Sequence, residues 1–193
     1  SVATAEAGGT VALTAAEGSS FTADSVELTA SSGQQSEETK ESSGNTITVY
    51  DNAKAEAVGN ATAIGASVGV NKASAKQATT VKVDLGKGIY KTDSLTVTGS
   101  NTAALDAAAK GVTIGGYFAS GTNETDLDGQ LTTQVTAAGA DTASSLGDVT
   151  LRSSGYGDLK GKADGSGGGY INISPVAARA NTNLTTDTRT SVS

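Results

Sequence analysis

The chain has 193 residues; Ala, Thr, Gly and Ser fill 106 of them, while Val, Leu, Ile and Phe together supply only 34. So few large side chains cannot fill a thick core, which excludes a helical bundle or a conventional α/β enzyme. The lack of Cys and His excludes disulfides, thiolate or imidazole metal sites and serine–histidine triads from this segment. A net charge of −7 with 4% aromatic residues argues against nucleic-acid binding, and no apolar run reaches the roughly 18 residues of a membrane span.

Short alternating segments predict β-strands throughout the chain. In each, an apolar residue alternates with Thr, Ser, Asp, Glu or Ala, which is the period of a strand with one buried face. Val and Thr are β-branched and favour strands. Helix is the competing prediction for residues 103–110, but that stretch is short, lacks an amphipathic stripe and runs into Gly111, so we expect it to be extended. The predicted strands are residues 10–13, 25–28, 46–49, 94–97 and 148–151.

The sequence also repeats itself. Residues 52–86, 104–139 and 158 onwards resemble one another, and each contains a spaced small-residue motif. Ala66 and Phe118 lie 52 residues apart, and Phe118 and Ile171 lie 53 apart. These offsets predict a repeat of about 52–54 residues, with copies at approximately 46–93, 94–147 and 148–193. The three motifs are Ala55-x-Ala57-x-Gly59, Ala107-x-Ala109-x-Gly111 and Gly161-x-Ala163-x-Gly165.

Repeated short strands fit either an antiparallel sandwich or a parallel β-solenoid. A sandwich predicts hairpin dipeptides and bulky alternating cores, whereas a solenoid predicts small inward residues that stack on one another. The offsets favour an all-β solenoid, with two or three coils of about 18–27 residues in each repeat. Backbone pairing between coils would then supply much of the order that a large core normally gives.

The motif residues receive structural roles in this interpretation. The glycines are predicted to hold turn conformations that a Cβ would strain. The small residues before them are predicted to face a narrow interior. The predicted turn residues are Gly59, Gly111 and Gly165, and the predicted interior residues are Ala55, Ala57, Ala107, Ala109 and Ala163.

Two polar stretches are predicted to be insertions. Residues 31–45 have no apolar side chain and indicate a loop thrown out from the stack; residues 121–130 indicate a second, acidic loop. Within the second, Glu124, Asp126 and Asp128 alternate. They are candidate ligands for calcium or candidate carboxylates for glycoside hydrolysis, although a solvated acidic turn is the simpler interpretation. The nonapeptide of calcium β-rolls does not recur. We therefore expect neither a cofactor nor an enzyme activity.

Three runs carry a family resemblance. Residues 65–71 followed by 79–81, residues 94–100, and above all residues 167–178 (GGGYINISPVAA) resemble leukotoxin-type, filamentous-haemagglutinin-like large adhesins of bacteria. The resemblance covers residues 46–193, and 1–45 more weakly. It implies a right-handed parallel β-helix, exported and displayed on the cell surface or secreted. It brings no catalytic residues with it.

The expected function is therefore a structural shaft that projects binding regions and forms fibres. The expected partners are further copies or repeats joined end to end at open solenoid edges, and surface glycans or proteins of host or neighbouring cells. The chain lacks Met and a visible signal peptide, which indicates an excerpt from a longer mature chain. Two alternatives come from other classes: a polysaccharide-active β-helix enzyme, and a glycan-binding module that uses the insertion loops.

Overall fold

A computed structural model of the chain describes residues 1–33, 36–40, 46–50, 53–168 and 177–192. These residues form eleven strands and no α-helix, which confirms the all-β class. The strands are β1 (Val2–Ala15), β2 (Ser20–Thr22), β3 (Ser25–Ser32), β4 (Ser36–Lys40), β5 (Thr46–Tyr50), β6 (Ala53–Ala63), β7 (Ala66–Leu85), β8 (Ile89–Gly115), β9 (Phe118–Ala137), β10 (Ser145–Gly168) and β11 (Ala177–Val192).

Two open parallel sheets dominate the fold. Sheet A has the strand order β1-β7-β9-β11, and in sheet B the central strand β8 pairs with β10 on one side and with β2, β3 and β6 on the other. The chain alternates between the sheets, running through β7 and β8 before it returns to sheet A as β9. We call one run through both sheets a pass. Parallel pairing between successive passes is confirmed, and the antiparallel sandwich is excluded for these sheets.

The register of the sheets follows the sequence repeat. Ala66 lies opposite Phe118, and Ala55 lies opposite Ala107, both at the 52-residue offset. Ala107 in turn lies opposite Gly161. One repeat therefore makes one pass built on two long strands, and the prediction of two or three coils in each repeat is wrong. The physical reason is that the glycines of the repeat motifs, which were predicted to hold turns, continue the strands.

The first pass differs from the prediction in its alignment. Ser25 to Leu28 in β3, rather than residues 46–49, lie opposite Ser94 to Val97. Residues 46–50 instead form β5, which pairs antiparallel with β4 in a separate two-stranded sheet. The predicted loop at 31–45 is thus wrong in part, because it contains the end of β3 and all of β4. Residues 34–35 and 41–45 of that prediction lie outside the described residues.

The facing sides of the two sheets enclose an interior of two kinds. Near the turn from β7 to β8 the buried side chains are large and make up the valine–leucine region. Near the opposite edge they are mostly small and make up the alanine region. The valine–leucine region contains Val81, Val83, Leu85, Leu95, Val97 and Val135. The alanine region contains Ala55, Ala57, Ala73, Ala75, Ala107 and Ala109, with Leu105 and Leu127 among them.

Candidate functional site

The predicted interior alanines lie in the alanine region. Ala55, Ala57, Ala107 and Ala109 are buried between the sheets, because strand alternation turns every second residue of β6 and β8 inward. Ala163 occupies the matching register position on β10 and is half-buried. Among the described residues β10 is an edge strand of sheet B. Ala163 therefore has a neighbouring strand on one side, which leaves it less buried than the other alanines.

The predicted turn glycines lie inside strands, so that prediction is wrong. Gly59, Gly111 and Gly165 are in register with one another on β6, β8 and β10. Among the described residues, positive φ angles in the left-handed region occur at Gly9, Gly18 and Gly33 instead. Glycine is needed at Gly111 because a side chain there would point into the interior, where other atoms already fill the space. A Cβ on Gly111 would lie 1.9 Å from the side-chain nitrogen of Asn71 and 2.6 Å from the backbone oxygen of Gly59.

The group that occupies this space is a buried pair of amides. Asn71 on β7 donates its Nδ2 to Asn123 Oδ1 on the next pass at 2.8 Å, and to the backbone oxygen of Gly59 on the facing sheet at 3.2 Å. Both side chains are at least 95% buried. A buried amide costs free energy unless it is hydrogen-bonded. The glycines therefore allow the amides to reach across from one sheet to the other.

A second polar network joins the sheets between the two apolar regions. The Thr79 hydroxyl on β7 donates to Asn101 Oδ1 on β8 at 2.7 Å. Asn101 Nδ2 donates to the backbone oxygen of Thr79 at 2.9 Å and to the backbone oxygen of Thr132 at 3.1 Å. Gln77 reaches the backbone oxygen of Thr102 at 2.9 Å. These side chains link three strands, which fixes how the two sheets sit on each other.

The predicted acidic loop at residues 121–130 is part of strand β9, which continues unbroken from Phe118 to Ala137. Alternation buries Thr125 and Leu127 completely and places Glu124, Asp126 and Asp128 on the outer face of sheet A. The prediction of an insertion is wrong because its inward positions carry Asn and Thr, which resemble loop residues in the sequence. Regular alternation of acids with Thr and Leu was the available signal for a strand.

Two of the three acidic side chains have polar partners on adjacent strands. Glu124 lies 3.8 Å from Lys72 and accepts a hydrogen bond from Asn181 at 3.2 Å. Asp128 accepts one from Asn183 at 3.0 Å. Within the described ranges, no three acidic side chains converge as a metal-binding group. Across the strands Glu6 lies opposite Lys76, and Lys76 lies opposite Asp128, so opposite charges alternate at this position. Opposite charges on neighbouring strands favour correct strand pairing.

Surface depressions on the described residues are shallow. One of about 260 Å³ lies beside Asp24 and Asp93, and another of about 330 Å³ lies beside Lys110 and Asp164. Ligand pockets typically measure about 300–1,000 Å³ and enclose most of the ligand, whereas these depressions are open.

Over the part of the chain that is described, no helix could cross a membrane.

The hydrogen-bonded polar side chains between the sheets were not predicted from the sequence. Asn71 lay in the run that carried the family resemblance and Asn123 in the predicted insertion, while Asn101 received no role. The 52-residue offset between Asn71 and Asn123 was a usable signal, because residues at the repeat offset stack on one another.

Comparison with protein-family models, curated proteins and solved structures finds no match for this chain. Function must therefore be argued from these features themselves.

Proposed function

We propose that the chain is a segment of a right-handed parallel β-solenoid that forms the shaft of a surface-exposed or secreted bacterial filamentous adhesin. The observation that supports this most strongly is the in-register stacking of successive passes, in which Ala55, Ala107 and Gly161 occupy equivalent positions. Each further pass can be added by the same pairing rules. Right-handed crossovers are the general preference for parallel strands, which favours that hand here.

The proposed role is mechanical. A pass takes about 52 residues and adds one strand spacing, about 4.8 Å, to the length. The strands are long, up to the 27 residues of β8, so a shaft built this way is broad in cross-section. Backbone hydrogen bonds between the strands of successive passes resist bending of the shaft, and the buried amides between the sheets resist shear. Such a shaft would hold distal binding regions away from the cell, where they meet glycans or proteins of other cells.

Immunogold electron microscopy on the producing cells tests the proposal. Antibodies against residues 1–193 should label filaments at a constant distance from the outer membrane. Label confined to the cytoplasm would contradict it. A glycan array and a polysaccharide-turnover screen on the purified chain provide the second arm. A shaft segment should give no specific glycan binding and no turnover, whereas either activity would overturn the structural role in favour of a binding module or an enzyme.

A further inference from the structure

Charged residues on the outer faces of the two sheets line up across the strands, and their sign alternates from one pass to the next. We call a set of charged residues that lie directly opposite one another on successive passes a charge column. Side chains in such positions are about 5 Å apart, so unlike charges attract and like charges repel. The charge columns are Lys72–Glu124–Arg179 and Glu6–Lys76–Asp128 on sheet A, and Lys54–Asp106–Lys160 on sheet B.

The alternation holds throughout the two sheets as far as the structure describes them. Outside the charge columns, one more pair of charged residues lies directly opposite in the described ladders. It consists of Lys110 and Asp164, and its signs are also unlike. Each pair of opposed charges between neighbouring passes is therefore an attractive one.

Residues two passes apart in a charge column carry the same sign. Lys72 and Arg179 are both positive, and Glu6 and Asp128 are both negative. The column on sheet B follows the same rule. A pass laid in register on a copy of itself would likewise oppose each charge to its own kind. The charge columns thus distinguish the adjacent pass from two wrong partners, which are the pass after next and the identical pass of another chain.

The stability of the native ion pairs is a poor explanation for this order. Lys72 lies 3.8 Å from Glu124, and Lys54 lies 4.0 Å from Asp106, with the two lysine side chains 42% and 61% exposed. Exposed pairs of this kind add little to the stability of a folded chain. Their effect on wrong pairings is larger, because a wrong pairing replaces every attraction in the column by a repulsion.

The interior of the molecule offers little discrimination between passes. Ala55, Ala107 and Gly161 occupy equivalent positions on successive passes, so several passes present nearly the same small residues to a neighbour. Pairing register is weakly specified in strands rich in glycine. Misassembly between similar units is a characteristic failure of repeat proteins. The outer faces are where the passes differ in charge.

We infer that the charge columns select which passes pair. Each pass accepts the pass beside it and rejects both the pass after next and an identical pass of another chain. The selection works through repulsion in the wrong arrangements, which is a general route to specificity. It concerns the order in which passes stack, and it does not depend on the role of the chain as a shaft.

Cross-linking during refolding tests the inference. The chain contains no Cys, so Ala78→Cys with Thr185→Cys provides a single reporter pair. Both residues lie opposite Gln130, one on β7 and the other on β11. Their native separation of two strand spacings, about 10 Å, is too long for a disulfide, whereas pairing of β7 with β11 would bring them together. Refolding from urea under oxidising conditions at about 10 mM salt should trap this disulfide in a small fraction of monomers, which mass spectrometry measures.

Reversing one charge should favour the wrong pairing. Arg179→Glu in the reporter chain should raise the trapped fraction at least about threefold, because the new carboxylate attracts Lys72 and repels Glu124. Combining it with Lys72→Glu and Glu124→Lys inverts the whole column and should return the fraction to its original value. Asp187→Lys is the matched control, since it reverses a charge on β11 opposite the uncharged Thr132. This control should leave the fraction unchanged.

Salt separates charge selection from a packing defect. At about 1 M salt the Debye length falls to about 3 Å, so the increase in Arg179→Glu should disappear. The inference would be overturned if Arg179→Glu gave no increase at low salt, or if the control gave an equal one. An increase that persisted in the inverted column or at high salt would overturn it as well.

Discussion

The valine–leucine region and the alanine region share the same strand pairing and differ in what lies between the sheets. In the first, Val81, Val97 and Val135 pack against one another and against Leu85 and Leu95. In the second, mostly alanines fill the space. Apolar burial stabilises in proportion to area, at about 25 cal/mol per Å², so the valine–leucine region contributes more of the hydrophobic free energy. The alanine region depends more on backbone pairing and on the amides beside it.

This difference predicts opposite sensitivities to side-chain size. Removing volume should be costly where large side chains interlock, and adding volume should be costly where the sheets are held close by small ones. The largest effect is expected for Leu95→Ala. Leu95 is buried on β8, and truncation should lower the free energy of unfolding by about 3 kcal/mol through lost contacts and a cavity.

Urea denaturation measures this change. Leu184→Ala is the control, because Leu184 lies on β11 and is 41% exposed. The control should lose much less stability. Equal losses in the two variants would show that the valine–leucine region does not dominate the hydrophobic free energy.

Ala109→Leu should show the reverse sensitivity in the alanine region. Ala109 is completely buried, and three additional carbons should destabilise the protein by about 2 kcal/mol through overpacking. Ala108→Leu on the outer face of the same strand is the matched control and should be close to neutral. A similar melting temperature for the two variants would mean that the alanine region can accommodate a leucine without strain.

Sequence reasoning predicted part of this organisation. The offset of 52 residues gave the stacking of Ala55 on Ala107, and small residues indicated a thin interior; both follow from local pattern and repetition. The number of coils in a repeat could not be found in the same way. Gly111 and Asn71 resemble turn residues individually, and only their positions on facing sheets explain why both lie in strands. That information is three-dimensional.

The acidic segment of β9 teaches the same lesson. Glu124, Asp126 and Asp128 made the segment resemble a solvated loop, while Lys72 opposite Glu124 lies 52 residues earlier in the chain. Pairing between passes neutralises charges that look isolated along the sequence. The burial of Thr125 could not be predicted either, because a threonine between two acidic residues is normally expected on the surface.

Thr125→Val should change the free energy of unfolding by a smaller amount, and it should stabilise the protein. Among the described residues, Thr125 Oγ1 is a buried side-chain oxygen with no hydrogen-bond partner, and it lies opposite Ala73 and Ala180. Replacing an unpaired hydroxyl by a methyl group of similar shape should raise the free energy of unfolding by about 1 kcal/mol.

Thr133→Val is the control for this effect. Thr133 is also fully buried, but its hydroxyl donates to the Ser154 backbone oxygen at 3.0 Å. The control should therefore lose stability, by about 1 kcal/mol. Two variants that change stability in the same direction would contradict the role given to the unpaired hydroxyl.

The smallest effect concerns pH. Tyr90 is buried at the edge of the valine–leucine region, where it stacks on Phe21 with ring centroids 5.7 Å apart and donates to the Gly86 oxygen. Burial raises the pKa of Tyr90 above the ordinary value of 10.0. The unfolded chain therefore releases this proton first, and the stability that Tyr90 contributes falls as the pH rises above 10. Tyr90→Phe should remove this part of the loss of stability at high pH. Urea denaturation at about pH 9 and about pH 11, on either side of the reference pKa of tyrosine, measures the change. An unchanged pH dependence would argue that Tyr90 is solvated.

The most direct measurement concerns the register, since the central claim is that each 52-residue repeat forms a single pass beside the next. The chain contains no Cys, so paired substitutions give unambiguous disulfides. Thr80 lies opposite Thr132, at a spacing of about 4.8 Å that a disulfide can bridge. Thr80→Cys with Thr132→Cys should cross-link within the monomer on oxidation, and mass spectrometry identifies the bond. Thr80→Cys with Gln134→Cys, shifted by two residues to a separation of about 8 Å, should not. Cross-linking of the shifted pair, or of neither pair in the folded protein, would contradict the claim.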